Sequence, residues 1–270
     1  MDLGLAGRAC VVTGASSGIG RETALQLCAE GAMVLLVARG EERLAAATEE
    51  AARAAEPAGG AAAALTLDIT DEDAGERMLA SAEERFGALD VLVNNAGTAK
   101  WRDLDEVPDE DWRRQYELNV MAPLWAMRAA IPPMAERGWG RIVNVCSTAG
   151  KRPSAAMPEY SVAKAAELSL SRLFADRYAK SGVLVNAVAP GPVEAEMWME
   201  PGGLLDQSMG LSGAGSREEA LAEAGSKRPI GRLARPEEIA SAIVFLCSER
   251  ASYVAGAAWS VDGGTVQVII

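Results

Sequence analysis

The amino-acid sequence predicts an α/β fold in which about seven parallel strands form a single sheet with helices on both faces. The first observation behind this prediction is an alternation, along 270 residues, between short apolar runs and longer alanine-rich amphipathic stretches. Short apolar strands separated by helices are typical of βαβ units, whose parallel strands are buried on both faces. The second observation is that no internal repeat, charge block or domain-scale linker interrupts this alternation. Residues 1–270 are therefore predicted to form one domain.

Seven segments have the length and composition of strands, and six have a helical pattern. The predicted strands are 9–13, 33–38, 64–67, 91–93, 141–145, 184–189 and 258–261. The predicted helices are 19–30, 41–55, 72–86, 109–136, 159–180 and 236–248. The alanine- and glycine-rich run 57–63 is predicted to be a surface loop before the third strand.

The segment 194–229 breaks the alternation and is predicted to be a mobile lid that closes over a ligand. Its glycines and prolines constrain the backbone little, yet it carries an apolar stripe that a solvated loop does not need. The stripe consists of Leu204, Leu205, Met209 and Leu211. Ser216 precedes Glu219 by three residues, which is a capping-box pattern and predicts a short helix after Ser216.

Charge and composition exclude several classes of function. Lys and Arg number 26 against 38 Asp and Glu, so the net charge is −12, which argues against nucleic acid or an anionic membrane as a partner. The chain contains no histidine. Ser-His and Cys-His catalysis and histidine-ligated metal sites are therefore excluded, and no metal site is predicted. Proton transfer must use tyrosine, lysine, a carboxylate or water.

The cysteines and the amino terminus predict a soluble, cytoplasmic protein. Cys10, Cys28, Cys146 and Cys247 are scattered without a CxxC pair, as is typical of buried thiols in a reducing compartment. Residues 1–8 lack the basic and apolar segments of a secretory signal. No apolar run reaches the ~20 residues that span a bilayer.

A glycine-rich loop follows the first predicted strand. Its sequence is Thr13-Gly-Ala-Ser-Ser-Gly-Ile-Gly20, and a predicted helix follows it. Glycines at such a strand-to-helix turn let the backbone approach a pyrophosphate, whose charge is favoured at the helix N-terminus. The spacing is G-x-x-x-G-x-G rather than G-x-G-x-x-G, and a purely structural tight turn is the alternative interpretation.

Tyr160 and Lys164 are four residues apart in a predicted helix, and this spacing places both side chains on one face. An ammonium near a tyrosine favours the phenolate and is expected to lower the tyrosine pKa, which suits that residue to proton transfer at a carbonyl oxygen. An ordinary amphipathic helix surface is one alternative. Another is a nucleophilic serine, because Ser161-Val-Ala-Lys164 matches the Ser-x-x-Lys of acyl-serine hydrolases, although no Ser-Asp-Asn or Lys-Thr-Gly element accompanies it.

Motifs along nearly the whole chain resemble, in order and spacing, those of the short-chain dehydrogenase/reductase family. They are Thr13-Gly-x3-Gly-Ile-Gly20, Asp68-Ile69, Asn94-Asn-Ala-Gly97, Asn119, Ser147, Tyr160-x3-Lys164, Pro190-Gly-Pro-Val193 and Val261-Asp-Gly-Gly264. In finer detail the pattern resembles the 3-oxoacyl carrier-protein reductase-like branch of that family. The resemblance implies a doubly wound, Rossmann-type sheet with a nicotinamide dinucleotide at the carboxyl edge of its strands.

The resemblance also implies which residues form the site. The implied catalytic residues are Asn119, Ser147, Tyr160 and Lys164, and the positive nicotinamide of an oxidised cofactor is expected to act with Lys164 in lowering the pKa of Tyr160. The implied cofactor-binding residues are Gly14, Ser16, Ser17, Gly18, Ile19, Gly20, Asp68, Ile69, Asn95, Ala96, Gly97, Tyr160, Lys164, Pro190, Gly191 and Val193. Asn94 has the alternative role of bracing neighbouring strands. Ala195 stands where close relatives commonly carry a threonine that bonds the cofactor carboxamide.

Arg39 decides which nicotinamide cofactor is predicted. NAD-binding members carry an acidic residue at the end of the second strand, where it bonds the adenosine ribose. Here Ala38 ends that strand and Arg39 follows, where a guanidinium can hold a 2′-phosphate. NADP(H) is therefore favoured over NAD(H), although Ser17 is not the second basic residue that some NADP-dependent members have.

The sequence therefore predicts an oxidoreductase that transfers a hydride between NADP(H) and a carbonyl or secondary alcohol. The alternatives are an NAD-dependent dehydrogenase of a sugar alcohol, steroid or cyclic alcohol, and a non-catalytic cofactor-binding protein. The candidates for the wall of the substrate pocket are Lys100, Trp101, Met157, Met197, Trp198 and Met199. The resemblance and the apolar residues of helix 159–180 also predict a homotetramer, or a homodimer.

Overall fold

The computed structural model describes residues 2–212 and 214–267, with residues 211 and 212 described by their backbone alone. Seven strands form one parallel sheet: β1 Ala9–Thr13, β2 Met33–Ala38, β3 Ala61–Thr66, β4 Val91–Asn94, β5 Gly140–Val145, β6 Val183–Pro190 and β7 Ala258–Val261. The strand order is β3-β2-β1-β4-β5-β6-β7. The predicted doubly wound parallel sheet is thus confirmed.

Helices connect the strands and cover both faces of the sheet. They are α1 Gly18–Ala29, α2 Glu41–Ala55, α3 Ala74–Phe86, α4 Asp109–Tyr116, α5 Ala122–Glu136, α6 Thr148–Lys151, α7 Pro158–Tyr178, α8 Glu196–Met199, α9 Leu204–Ser212, α10 Arg217–Ser226 and α11 Pro236–Cys247. No helix within the described ranges is long and apolar enough to cross a bilayer.

Alternate side chains of each strand enter two separate apolar layers. In β1, Cys10 and Val12 belong to the layer that packs on α1, α2 and α11, whereas Val11 belongs to the layer that packs on α3, α5 and α7. Successive side chains of a strand point to opposite faces, so a strand covered on both sides must be apolar throughout. All five residues of β1 are buried accordingly.

The order of the strands reverses between β1 and β4, which are neighbours in the sheet although two strands separate them in sequence. At such a point the connections leave the sheet in opposite directions, and a crevice opens beyond the carboxyl ends of the strands. Both the loop at 13–20 and the segment after Asn94 begin at this crevice.

The predicted helix 109–136 is interrupted near its middle. α4 and α5 are joined by a π-helical turn, Glu117–Met121. One turn of this kind inside an α-helix alters the direction of the side chains around it, and such turns are frequent at functional sites. Here the turn carries Asn119, which is completely buried.

Two predictions about loops were wrong in part. Ala61, Ala62 and Ala63 of the predicted surface loop 57–63 begin β3, because their backbones pair with Met33, Val34 and Leu35 of β2. The segment 194–229 is not an irregular strip, since α8, α9 and α10 lie within it.

Candidate active site

The carboxyl edge of the sheet opens into a cavity of about 1440 Å³. Its wall includes nearly all the residues that the sequence predicted for the cofactor. They are Gly14, Ser16, Ser17, Gly18, Ile19, Arg39, Asp68, Ile69, Asn95, Ala96, Gly97, Tyr160, Lys164, Pro190, Gly191 and Val193. Ser147 also lines the cavity, whereas Gly20 and Asn119 lie behind its wall.

The glycine loop, residues 13–20, has no space for side chains at two of its glycines. A Cβ on Gly14 would lie 2.8 Å from the Cα of Ala96, and one on Gly20 would lie 2.4 Å from the carbonyl oxygen of Gly14. α1 begins at Gly18, and its capping residue Ser17 makes no side-chain hydrogen bond to the first turn. The free N–H groups of that turn and the positive end of the helix dipole suit a pyrophosphate.

Asn95 and Thr13 hold the glycine loop against the segment after β4. The amide Nδ2 of Asn95 donates to the carbonyls of Thr13 at 2.9 Å and Gly14 at 3.3 Å. The Thr13 hydroxyl accepts from the backbone N–H of Asn95 at 2.9 Å. The side chain of Asn94 instead donates to Asn144 Oδ1 at 2.8 Å and braces β4 against β5. These bonds fix the position of the loop relative to the sheet.

Two arginines lie at the end of the cavity beside β2. Arg39 is exposed, and its guanidinium is 3.5 Å from the carboxylate of Asp68. Burial alone would raise the pKa of Asp68, but hydrogen bonds from Thr70 and the charge of Arg39 lower it. Arg43, in the first turn of α2, also lines the cavity and forms an ion pair with Glu200 at 2.8 Å. Arg43 was not among the predicted residues.

Tyr160 is buried in the cavity wall, in an apolar cluster with Ala99 and Ala149. Burial raises the pKa of Tyr160, although the charge of Lys164 and a hydrogen bond with Ser147 lower it. The lysine ammonium is 5.7 Å from the centre of the tyrosine ring. In the protein without its cofactor the pKa of Tyr160 is therefore raised, because burial outweighs the single nearby cation. The lower pKa expected when the positive nicotinamide of an oxidised cofactor is also present stays a prediction.

A buried carboxylate explains part of that result. Lys164 donates to Glu167 Oε2 at 2.8 Å and to the carbonyl of Val145 at 2.9 Å. Lys164 is 3% and Glu167 2% exposed at the side chain. Burial by itself would lower the pKa of Lys164, but the carboxylate raises it far above its usual range. The same carboxylate partly cancels the effect of the ammonium on Tyr160.

Asn119 lies directly behind the lysine. Its Nδ2 donates to the carbonyl of Gln115 at 2.9 Å and to the Gln115 side chain at 2.7 Å. Its Oδ1 is buried and has no hydrogen-bond donor among the described residues. A Cβ built on Gly97 would lie 3.3 Å from that oxygen and 3.6 Å from Lys164 Nζ, so the two groups border one small space.

Ser161 does not have the position of a nucleophile. It is fully buried, its hydroxyl donates to the carbonyl of Met157 at 2.7 Å, and it accepts from the backbone N–H of Ser154 at 3.0 Å. It is not part of the cavity wall. The Ser-x-x-Lys interpretation therefore has no support in the structure.

The far end of the cavity is apolar. Trp101 and Trp198 meet edge to face, with ring centres 6.2 Å apart, and Met157 and Met197 lie between them and Tyr160. Lys100 also lines the cavity, whereas Met199 does not and faces a separate shallow pocket. The predicted wall is thus reproduced except at Met199.

The segment 194–229 is bonded to both ends of the cavity. At the apolar end, Gln207 of α9 accepts from the backbone N–H of Trp101 at 2.8 Å. Leu204 and Leu205 are buried, and Met209 packs against the same cluster, while the side chain of Leu211 lies outside the described residues. The predicted short helix is α10, and the Ser216 hydroxyl caps it by accepting from the N–H of Glu219 at 3.2 Å.

Four residues of the site were not predicted from the sequence. Glu167 stands three residues after Lys164, and Gln115 four residues before Asn119, so helical spacing offered a signal for both. Arg43 and Gln207 are brought to the cavity by tertiary contacts alone. Within the described ranges, no cluster of cysteines and carboxylates could hold a metal ion.

Comparison with known proteins shows to which family the chain belongs. Residues 8–202 match the family model for short chain dehydrogenases. The chain belongs to the short-chain dehydrogenase family. It is an NAD(P)-dependent oxidoreductase, since family members of similar sequence are dehydrogenases and reductases.

Relatives of this family member match it over almost their full length. A cis-4-hydroxycyclohexanecarboxylate dehydrogenase from Sinomonas cyclohexanicum is 40% identical, with 97% of each chain covered. A 3-oxoacyl-acyl-carrier-protein reductase from Thermotoga maritima is 33% identical, with 97% of this chain and 99% of the relative covered. The crystal structure of L-sorbose reductase from Gluconobacter frateurii, complexed with NADPH and L-sorbose, superposes with a TM-score of 0.91 at 34% identity over 100% of both chains.

Proposed function

We propose that this oxidoreductase transfers a hydride between NADP(H) and a carbonyl or secondary alcohol, and that Tyr160 exchanges the accompanying proton. The observation that carries the proposal is a single cavity that joins the glycine loop to Tyr160, Ser147 and Lys164. A nicotinamide held there supplies the hydride for reduction or accepts it in oxidation. The phosphate-compatible loop and the acid/base group thus serve one reaction space.

The cofactor fits the residues that are present. The crowded Gly14 presents backbone rather than a side chain to the cavity, and the first turn of α1 offers free N–H groups. Gly20 packs against the carbonyl of Gly14 from behind the wall. Gly18, Ser16, Ser17 and Ile19 would hold the phosphates and ribose on this proposal. Asp68, Ile69, Asn95, Ala96 and Gly97 would lie along the adenosine, and Pro190, Gly191 and Val193 beside the nicotinamide.

In the proposed reaction Tyr160 donates a proton to the carbonyl oxygen during reduction and accepts it back during oxidation. Ser147 holds the same substrate oxygen by a hydrogen bond. Lys164 keeps a positive charge beside the phenol and would bond the nicotinamide ribose of a bound cofactor. Oδ1 of Asn119 has no donor among the described residues. It would accept a hydrogen bond from a buried water molecule, and that water would connect Lys164 with solvent.

The phosphorylated cofactor is favoured because two arginines, Arg39 and Arg43, face the adenosine end of the cavity. A 2′-phosphate there can accept charge-assisted hydrogen bonds from guanidinium groups. One observation favours the NAD-dependent alternative, since Arg39 is already paired with Asp68 at 3.5 Å. Comparing initial rates with NADPH and NADH separates the two.

The substrate we propose is a ketone or secondary alcohol on a compact apolar body. The tryptophan and methionine side chains beyond Tyr160 suit such a body. The Sinomonas relative is named for a ring alcohol, and the L-sorbose reductase for a sugar. A cyclic ketone is therefore the first substrate class to test.

Three features of the protein outside the reaction belong to the same proposal. Residues 1–270 form a single domain. Its segment 194–229 closes over the substrate as a lid. Exposed Val162 and Leu173 on α7, at 53% and 65% exposure, become buried in a homotetramer or homodimer. Four free, buried cysteines fit a cytoplasmic protein.

Replacing Tyr160 by Phe tests the proposal, because it removes one hydroxyl and little volume. We expect kcat to fall by about 10²–10⁴-fold, the range for a positioned proton donor, with NADPH affinity retained. Tyr178→Phe is the matched control, since Tyr178 is on the same helix and stacks on Phe174 away from the cavity. Retention of more than about a tenth of kcat in Tyr160→Phe would show that Tyr160 is not the proton donor. If the wild type binds NADPH but reduces no carbonyl compound, the non-catalytic alternative is favoured.

A further inference from the structure

Among the described residues, three carboxylates line the wall of the cavity, namely Asp68, Glu196 and Glu200. Asp68 faces Arg39. The other two belong to one short turn of chain, because α8 begins at Glu196 and Glu200 caps its carboxyl end. α8 therefore brings two negative charges to a cavity in which we place a cofactor that is itself an anion.

Glu200 is paired with a cation at the adenosine end of the cavity. Its Oε1 is 2.8 Å from a terminal nitrogen of Arg43, in the first turn of α2. The side chains of Arg43 and Glu200 are 67% and 50% exposed. Such an exposed ion pair is weak, and another anion can replace its carboxylate. Glu200 thus takes the place on Arg43 that a 2′-phosphate would take.

Glu196 lies at the glycine loop. A Cβ built on Gly18 would lie 2.9 Å from Oε2 of Glu196 and 3.1 Å from the Cβ of Ala195. Gly18 is the first residue of α1, whose first turn has free N–H groups and the positive end of the helix dipole. Glu196 forms no ion pair with a described residue, and Arg21 beside it is paired with Glu50 at 2.7 Å. The helix end that suits a pyrophosphate therefore faces a carboxylate.

The same turn of chain carries part of the substrate end of the cavity. Met197 and Trp198 stand between the two glutamates in sequence. Met197 packs against the cluster of Tyr160, and Trp198 meets Trp101 edge to face. A displacement that takes the carboxylates of α8 away from the cofactor end therefore also moves two residues of the substrate wall.

The chain on either side of α8 suits such a displacement. Before α8, the backbone N–H of Glu194 donates to the carbonyl of Ala234 at 2.8 Å. After α8, Gly202 has a φ of 77°, and nothing lies within 4 Å of a Cβ built on it. Glycine adopts this conformation readily, and hinges are often small residues. α8 thus lies between an anchored residue and a candidate hinge.

We propose that α8 is a latch that the cofactor displaces. In this conformation its two carboxylates take the places of the pyrophosphate and the 2′-phosphate, and binding of NADP(H) moves α8 together with Met197 and Trp198. This proposal rests on the proposed function above. Only molecules whose latch is displaced bind the cofactor, so the latch lowers the apparent affinity for it. Cofactor binding thereby reshapes the substrate wall.

Neutral variants of the two glutamates test the latch by calorimetry with the full chain, without turnover. Glu200→Gln should raise the affinity for NADPH about 1.5- to 5-fold, the range for an exposed ion pair, and leave that for NADH, which lacks the 2′-phosphate, nearly unchanged. Glu196→Gln should raise the affinity for both cofactors about 1.5- to 5-fold, the range for a charge at a helix end, because both have a pyrophosphate. Unchanged or weaker NADPH binding in either variant, or equal gains for NADPH and NADH in Glu200→Gln, would overturn the proposal.

Two further variants locate the effect. Glu194→Gln is the matched control, because Glu194 precedes α8 by two residues and does not line the cavity. It removes the same charge and should change NADPH affinity less than either latch variant. An equal gain in Glu194→Gln would show that only the charge of this surface matters and would overturn the latch. In an Arg43→Met background, Glu200→Gln should give no gain, and a gain that persists would overturn the pairing.

Tryptophan fluorescence tests the movement of α8. The difference in emission between the wild type and Trp198→Phe isolates the contribution of Trp198, and this contribution should change when NADP⁺ binds without substrate. An identical difference with and without NADP⁺ would overturn the movement. A wild type that binds neither NADPH nor NADH contradicts the proposed function itself, whereas cofactor binding without a gain in the two latch variants contradicts the latch alone.

Discussion

Removing the carboxylate of Glu167 should destabilise the protein strongly, although none of the motifs quoted from the sequence includes this residue. Glu167 and Lys164 are almost completely inaccessible to solvent, and their charged atoms are 2.8 Å apart. Glu167→Gln leaves the ammonium buried without its counter-ion. Breaking a buried pair in this way costs about 3–5 kcal/mol. At about 2–4 °C per kcal/mol for a domain of this size, Tm should fall by roughly 6–20 °C.

The same helix provides the control. Arg172 and Asp176 on α7 form an ion pair at 2.8 Å whose side chains are 63% and 58% exposed. Asp176→Asn should change the free energy of unfolding far less, because an exposed pair at this spacing is solvated and screened. Thermal and urea unfolding of both variants measures the contrast. A Glu167→Gln variant no less stable than Asp176→Asn would refute the assignment of a charged, buried pair.

A second readout reports on the site rather than on stability. The carboxylate of Glu167 raises the pKa of Tyr160, whereas the ammonium of Lys164 lowers it. Loss of the carboxylate, with Lys164 still charged, should therefore lower the tyrosine pKa. The pH profile of alcohol oxidation should move to lower pH in Glu167→Gln. An unchanged profile in a folded variant would show that Glu167 has a packing role only.

Three other perturbations have expected outcomes. Arg39→Ala should weaken NADPH binding by about 1.5–3 kcal/mol, the range for a hydrogen bond to a charged group, and leave NADH affinity nearly unchanged. Fluorescence titration with both cofactors measures this. Equal losses of affinity for NADPH and NADH would show that Arg39 does not recognise the 2′-phosphate. The raised pKa of Tyr160 keeps the phenol protonated at neutral pH. The rate of reduction should therefore vary little from pH 6 to 8, whereas the rate of oxidation, which needs the phenolate, should increase as pH rises. Opposite pH dependences of the two rates would contradict the acid/base assignment. Hydrogen exchange within 200–216 should slow when NADPH and a substrate analogue bind, and unchanged exchange at saturation would argue against a lid.

Much of the fold could be predicted because the sheet is buried on both faces. β1, β2 and β7 have the predicted bounds, since an uninterrupted apolar run between polar turns defines a covered strand. β3 begins three residues before its predicted start, at Ala61. Alanine has no intrinsic preference for strands, so only pairing with β2 places these residues in the sheet.

The site divides in the same way between local pattern and tertiary context. The spacing of Tyr160 and Lys164 and the order of the glycines are local patterns. They predicted residues that the structure places in the wall of one cavity. The pKa of Tyr160 could not be predicted, because it depends on burial and on Glu167. Arg43 and Glu200 are distant in sequence, and only packing brings both of them to one cavity.

Isotope transfer tests the central claim most directly. NADPH labelled with deuterium at the transferable position of the nicotinamide is incubated with the enzyme and a cyclic ketone, and the alcohol product is analysed by mass spectrometry. Direct hydride transfer predicts an alcohol that carries the deuterium on its carbinol carbon, with no label in the solvent. Oxidation of NADPH with an unlabelled alcohol, or cofactor binding without any alcohol from the carbonyl compounds tested, would contradict the account.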